Sequence, residues 1–258
     1  MAENSTMQEQ LIQCCKRLRL SSSLAERAMV QEGATNQEYL YSLLLSEIRS
    51  RDDARVMRNL NAAGFPLRYE RADYRSDELV FPEGISFDSL MDLDFYRAGK
   101  NVIMYGATGT GKTMLSILIG MQACMQNIPV RFFRTAGLIN QLAESRQKGE
   151  LASFKRKRLA PAKIIILDEF GYVPYDRLGS QLLFDYLSEI HEQKSIILNT
   201  NLEFSQWVNI LYDERMTTAL IGRLTHHVEL ILFPGGNNRL RESSINDQMI
   251  RTNQKREA

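Results

Sequence analysis

Gly106-Ala107-Thr108-Gly109-Thr110-Gly111-Lys112-Thr113 is a complete phosphate-binding loop of the G-x-x-x-x-G-K-T type. Its glycines let successive backbone N–H groups turn inward onto phosphate oxygens. In such a loop Lys112 can reach the β- and γ-phosphates, and Thr113 can hold magnesium at the positive end of the helix that follows. The flanks agree with that placement. Asn101-Val102-Ile103-Met104-Tyr105 is a short apolar run with two β-branched residues, and Met114 to Met125 is apolar nearly all round, as in a helix buried beside a parallel sheet.

A second strand end carries the acids. Ile164-Ile165-Ile166-Leu167-Asp168-Glu169 reads as a fully buried strand closing on two carboxylates. Asp168 falls where a magnesium-facing acid sits in a parallel sheet, and Glu169 is placed to polarise an attacking water. With the phosphate loop, these residues make the chain a candidate nucleotide hydrolase.

Downstream, Ile128 to Phe133 reads as a second strand, 135 to 148 as a helix, and Leu178 to Ile190 as an amphipathic helix. Ser195 to Asn201 reads as the fourth strand and Val228 to Phe233 as the fifth. Strands alternating with helices predict a doubly wound, five-stranded parallel sheet. Asn201 closes the fourth strand, where an amide can orient water and sense the γ-phosphate, with Asn199 as the alternative. Arg223 precedes the fifth strand and is a candidate arginine finger for a neighbouring subunit, because guanidinium matches the charge spread over a transferring phosphoryl group. Arg215 competes for that role.

Before the loop, residues 1–66 read as an all-helical N-terminal domain. Segments 6–19 and 23–32 are amphipathic, Gly33-Ala34 breaks them, and Thr35 with Glu38 makes a capping box for a longer helix that ends at Gly64-Phe65-Pro66. Residues 67–98, with Pro82 and Gly84, read as a linker approaching the catalytic domain at 99–258.

Two basic clusters are candidate DNA contacts. Arg51, Arg55 and Arg58 share one helix face, and Lys148 with Lys155, Arg156, Lys157 and Arg158 forms the densest positive stretch. Contacts of this kind grip phosphates without reading bases.

Composition sets the outer bounds. A chain of 258 residues accommodates one sizeable α/β core and a small appendage, and a formal net charge of +1 leaves nucleic-acid binding to local patches. The sequence has no apolar run of membrane-spanning length and no signal-peptide pattern, so a soluble, cytoplasmic protein is expected. Cys14, Cys15 and Cys124 lack C-x-x-C spacing and read as reduced packing residues. His191, His226 and His227 match no zinc spacing.

These motifs resemble the AAA+ ATPases, and closely the IstB-like insertion-sequence ATP-binding proteins, relatives of the DnaC-type helicase loaders. The resemblance covers nearly the whole chain. Leu18-Arg19-Leu20 with the helical region ending Gly64-Phe65-Pro66 resembles the family's N-terminal domain. Gly106 to Thr113 and Leu167-Asp168-Glu169-Phe170-Gly171-Tyr172-Val173-Pro174 resemble its nucleotide motifs, and Asn199-Thr200-Asn201 with Phe204-Ser205-Gln206-Trp207 its first-sensor region. Arg223-Leu224-Thr225-His226-His227 resembles its finger segment and Asn238-Arg239-Leu240-Arg241-Glu242-Ser243 its final motif.

In two places the chain departs from the pattern. Gly222 stands where the family usually has aspartate, and Gly236-Asn237-Asn238 replaces a serine-tyrosine approach to Arg239. Twenty residues follow Asn238, fewer than the helical lid of a full AAA+ protein needs, so the lid is expected to be absent or truncated. Arg239 is accordingly left between a second-sensor role and a contact to a neighbour or solvent.

The resemblance implies ATP and Mg2+ as cofactors and a homo-oligomer with ATP sites at subunit interfaces. It further implies an ATP-hydrolysing helper that assembles on duplex DNA, prepares a target site, and recruits and stimulates a separately encoded transposase. A replicative helicase loader and a non-hydrolysing, nucleotide-switched adaptor are the alternatives. Glu169 argues against the adaptor.

Overall fold

The structure is a computed structural model, and it describes residues 2–236. Arg239 and the expected truncation of the lid lie outside the described residues. The chain divides into two compact units between Arg58 and Asn59.

The first unit contains helices α1 (Ala2–Arg17) and α2 (Ser23–Val30) and most of α3 (Asn36–Ala63). Thr35 starts α3 by accepting a hydrogen bond from the Glu38 amide at 3.2 Å. A small apolar cluster of Cys15, Leu24, Ala25 and Leu43 joins the three helices. Beside it lies the buried Glu47 carboxylate, which accepts from the Ser21 amide (2.8 Å) and hydroxyl (2.6 Å), Arg27 Nη2 (3.1 Å) and Arg51 Nε (2.9 Å). Burial is the largest influence on this group and pushes its pKa up. The Ser21 bonds and the Arg51 charge together outweigh it and bring the carboxyl down to about 2.

In the second unit, the stretch read as a linker contains helices α4 (Phe87–Met91) and α5 (Asp94–Arg97). Ser86 and Ser89 cap α4 reciprocally, and Leu90, Met91, Leu93 and Phe95 are buried, so this segment belongs to a packed core. There follow β1 (Asn101–Gly106), α6 (Lys112–Met125), β2 (Val130–Arg134), α7 (Thr135–Gln147) and α8 (Leu151–Phe154). The chain continues through β3 (Ile164–Phe170), α9 (Arg177–Ile190), β4 (Ser195–Thr200), α10 (Val208–Leu211), α11 (Glu214–Thr225) and β5 (Val228–Phe233).

All five strands are parallel, in the order β2-β3-β4-β1-β5. One face of the sheet, through Ile103, Leu167 and Leu198, packs against Leu138, Leu183, Tyr186, Trp207 and Leu220. Against the other face α6 comes so close at Gly120 that a Cβ there would lie 2.8 Å from Ile166 Cδ1. An isolated antiparallel bridge, Val80 to Leu232, ties the segment before α4 to the β5 edge.

Several strand boundaries differ from the sequence reading, and at β2, β3 and β4 a named residue accounts for it. β2 starts at Val130, because Asn127 turns left-handed (φ 60°) and Pro129 has no N–H for a ladder. β3 continues to Phe170 across a register shift after Leu167, with Glu169 left-handed at φ 55°. β4 ends at Thr200, which leaves Asn201 one residue beyond it.

Candidate nucleotide-binding site

The phosphate loop leaves β1 at a point where only glycine fits. A Cβ on Gly106 would stand 2.4 Å from the Phe233 carbonyl oxygen of the neighbouring β5. At its other end, Gly111 (φ 98°) is the N-cap of α6, with the Tyr74 ring lying against it. Between them Thr110 Oγ1 donates to the Ala107 carbonyl at 2.8 Å.

Lys112 opens α6 and folds back over this loop. Its Nζ donates to the Gly106 and Ala107 carbonyls, both at 2.7 Å. Burial pushes the Lys112 pKa down to about 8, against the pull of the Asp168 charge. The ammonium is thus aimed at the loop and partly desolvated, which strengthens its attraction for a phosphate.

One residue on, Thr113 Oγ1 donates to both Asp168 oxygens, at 3.0 and 3.1 Å. Asp168 is buried at the end of β3, and its backbone carbonyl accepts from Thr135 Oγ1 at 2.9 Å. Asn199 on β4 donates through Nδ2 to Asp168 Oδ1 (2.8 Å) and to Ser116 Oγ (2.9 Å). Glu169 is exposed, and the left-handed turn at its Cα gives its side chain a course distinct from that of Asp168. Its Oε2 lies 3.6 Å from Arg134 Nε, at the end of β2.

These residues share one cavity of about 420 Å³, lined by Thr108 to Met114, Asp168, Glu169, Asn199, Thr200 and Asn201, together with Tyr69 and Tyr172. Both asparagines considered for the sensor role therefore reach the same cavity, Asn199 buried and Asn201 exposed. Arg223 is held elsewhere, its guanidinium 5.2 Å from the Phe184 ring centroid and donating to the Ala219 carbonyl at 3.1 Å. Arg215, near the start of α11, is exposed.

The basic candidates differ among themselves. Arg51, Arg55 and Arg58 are all exposed, but Arg51 is bonded to Glu47 and to the Arg19 carbonyl and Arg55 lies 3.8 Å from Asp52. Lys155 pairs with Glu189, while Lys148, Arg156, Lys157 and Arg158 are exposed.

Sequence reasoning did not single out Tyr69, Tyr74, Ser116 or Arg134. The tyrosines lie in a stretch without periodicity, where no sequence signal exists. Arg134 was accessible by the strand-end logic applied to Asp168, but only with the end of β2 correctly placed.

A parallel sheet of this order, with a phosphate loop after β1 and an acid on β3 across the intervening β4, defines an ATP-binding P-loop fold of the AAA+ class. The fold is similar to domain III of the replication initiation protein DnaA from Thermotoga maritima, with a TM-score of 0.51 and 21% identity over 68% of this chain and 73% of that one. The chain belongs to the family of IstB-like ATP binding proteins, whose profile matches residues 15–246. Among its relatives is a Geobacillus stearothermophilus protein named for ATP binding in insertion sequence IS5376, 30% identical over 94% of this chain and 98% of the relative. Another, named for ATP binding in insertion sequence IS21 of Pseudomonas aeruginosa, is 32% identical over 85% of this chain and 82% of the relative. Among the described residues, no helix is long and apolar enough to cross a membrane.

Proposed function

We propose that the chain is a soluble, cytoplasmic transposition helper that binds ATP with magnesium, forms a homo-oligomer on duplex DNA and hydrolyses ATP at the subunit interfaces. In this reading it prepares target DNA and recruits and stimulates a separately encoded transposase. The observation that carries the proposal is the buried Asp168 carboxylate, bonded to Thr113 beside the Lys112 loop, in a chain of an insertion-sequence ATP-binding family.

The donor set suits magnesium. Among the described residues no cation lies within ion-pair distance of Asp168, so a buried carboxylate and an adjacent hydroxyl are left to a hard metal ion. Thr113 and Asp168 would hold that ion, which when bound supplies charge neutralisation at the phosphate oxygens.

The protein's own groups then divide the work. Lys112 exchanges the Gly106 and Ala107 carbonyls for phosphate oxygens, while the amides of residues 106–113 cradle the rest. Asn201 orients a water and Glu169 takes its proton as the water attacks the γ-phosphorus. The bond to the ADP oxygen breaks, and ADP carries the leaving negative charge. Arg223 of a neighbouring subunit stabilises the transferring phosphoryl group. Lys148, Lys155 to Arg158, Arg55 and Arg58 contact DNA phosphates, and Arg51 supports the helix that carries the last two.

Steady-state phosphate release with and without duplex DNA tests the reading. Turnover is expected to rise with protein concentration and with duplex, and Glu169→Gln is expected to bind ATP but hydrolyse it at least a hundredfold more slowly. A preference of the ATP-bound protein for single strands over duplex at matched salt would overturn the transposition-helper role.

A further inference from the structure

Asn199 sits at the centre of a closed set of hydrogen bonds between the two residues assigned to the metal. Its amide nitrogen has two protons and two acceptors, Asp168 Oδ1 at 2.8 Å and Ser116 Oγ at 2.9 Å. Ser116 Oγ in turn donates its single proton to the Thr113 carbonyl at 2.9 Å. Thr113 Oγ1 closes the ring by donating to Asp168.

Chemistry settles which way the Asn199 amide points. An ionised carboxylate only accepts, and the Ser116 proton is already given, so the face towards Asp168 and Ser116 must be the NH2 group. The amide oxygen is left on the other side. It is buried and has no partner among the described residues.

The two oxygens of Asp168 are therefore unequal. Oδ1 accepts from Asn199 and Thr113, whereas Oδ2 accepts only a share of the Thr113 proton. A carboxylate gripped through one oxygen cannot rotate freely about its last bond, and the other oxygen is presented in a fixed direction.

We propose that Asn199 is a positioning residue for the metal site: through Nδ2 it holds the Asp168 carboxylate in one orientation, which would leave Oδ2 for a divalent cation, and its own buried oxygen would be left to accept from a water. This rests on the reading of Thr113 and Asp168 as the metal residues. It is separate from the water-orienting role given to Asn201, which is exposed and makes none of these bonds. The residue acts through Asp168 and touches no reacting atom.

The test separates metal affinity from nucleotide affinity in the full-length protein. Mn2+ binding in the presence of a non-hydrolysable ATP analogue is followed by electron paramagnetic resonance, and binding of a fluorescent ATP analogue is measured in EDTA. Asn199→Ala and Asn199→Asp are expected to weaken Mn2+ binding about tenfold or more, the range found when a partner orienting a metal ligand is removed. Their metal-free nucleotide affinity is expected to stay within about twofold of wild type. Asn199→Thr keeps one hydroxyl donor on a β-branched residue that suits a strand, and should recover part of the loss.

Wild-type Mn2+ affinity in all three variants would overturn the inference. So would an equal loss of nucleotide affinity in EDTA, which marks a residue that merely supports the fold. Asp168→Asn is run alongside. If it too leaves Mn2+ binding unchanged, the assignment of the metal residues has failed, whereas a loss confined to Asp168→Asn rejects the role of Asn199 alone.

Discussion

The Glu169 carboxylate lies 3.6 Å from the Arg134 guanidinium, an ion pair between the ends of two adjacent strands at the mouth of the nucleotide cavity. Each side chain is about half exposed or more, so the pair is worth at most about 1 kcal/mol. That is enough to bias where Glu169 points, but too little to lock it.

Arg134→Ala is therefore expected to raise DNA-independent ATP hydrolysis by about two- to fivefold, the range that up to about 1 kcal/mol allows. Steady-state phosphate release without DNA measures it. A fall in turnover would mean that Arg134 serves hydrolysis directly and does not restrain Glu169.

Nucleotide affinity should depend on pH through Lys112. With its pKa at about 8, the ammonium is already charged below that pH, and affinity is flat there. Above it, binding must take up a proton, and affinity falls by up to about tenfold per pH unit. Titrations of a fluorescent nucleotide from pH 7 to pH 9.5 should show this bend in the wild type. Lys112→Ala should bind too weakly to measure, because it loses the main point charge on the phosphates.

Glu47 should make the first unit acid-sensitive. Its folded-state value of about 2 lies below the ordinary 4.5, so its contribution to stability is whole above about pH 4.5 and is lost as pH falls towards 2. Protection factors of the α2 and α3 amides, with the intrinsic exchange rate at each pH divided out, are expected to be lower at pH 3 than at pH 6, and Glu47→Gln should remove most of that difference.

Arg51→Ala is expected to destabilise the same unit by about 1–3 kcal/mol, because it leaves buried Glu47 short of a partner. Arg55→Ala and Arg58→Ala, both at exposed positions, should stay within about 0.5 kcal/mol. For DNA, neutralising Arg156, Lys157 and Arg158 should weaken duplex binding alike on all sequences and flatten the salt slope by about 0.9 per lost phosphate contact. An unchanged slope would remove that cluster from the DNA surface.

Mixing Arg223→Ala with Lys112→Ala protein should restore part of the hydrolysis that neither has alone, since each supplies what the other's site lacks. Absence of rescue at every mixing ratio, with oligomers intact, would return attention to Arg215.

The phosphate loop, the acids of β3 and the alternation of strands with helices were legible in the sequence because each is a local pattern. Glycine spacing, four apolar residues before two carboxylates, and helical periodicity all act within a few residues of one another. Boundaries were less legible where one residue overrode the pattern, as Pro129 did at the start of β2. The packed helices at 87–97 were hidden for a related reason, since segments of four or five residues are too short to display a period.

Tertiary structure decided which residues meet. Asn199 and Asn201 are equivalent as letters near a strand end, and only the pairing of β3 with β4 gives Asn199 the bond to Asp168. Glu47 and Arg51 are an i, i+4 pair that the spacing along α3 already allows, whereas only the packing of the three helices brings Arg27 and Ser21 to the same carboxylate. Tyr74 reaches Gly111 because the segment before α4 is tied to the edge of β5. Short-range order follows from the chain's own periodicity, whereas the partner of a polar side chain is set by contacts between residues far apart in sequence, and burial then makes an unmet bond costly.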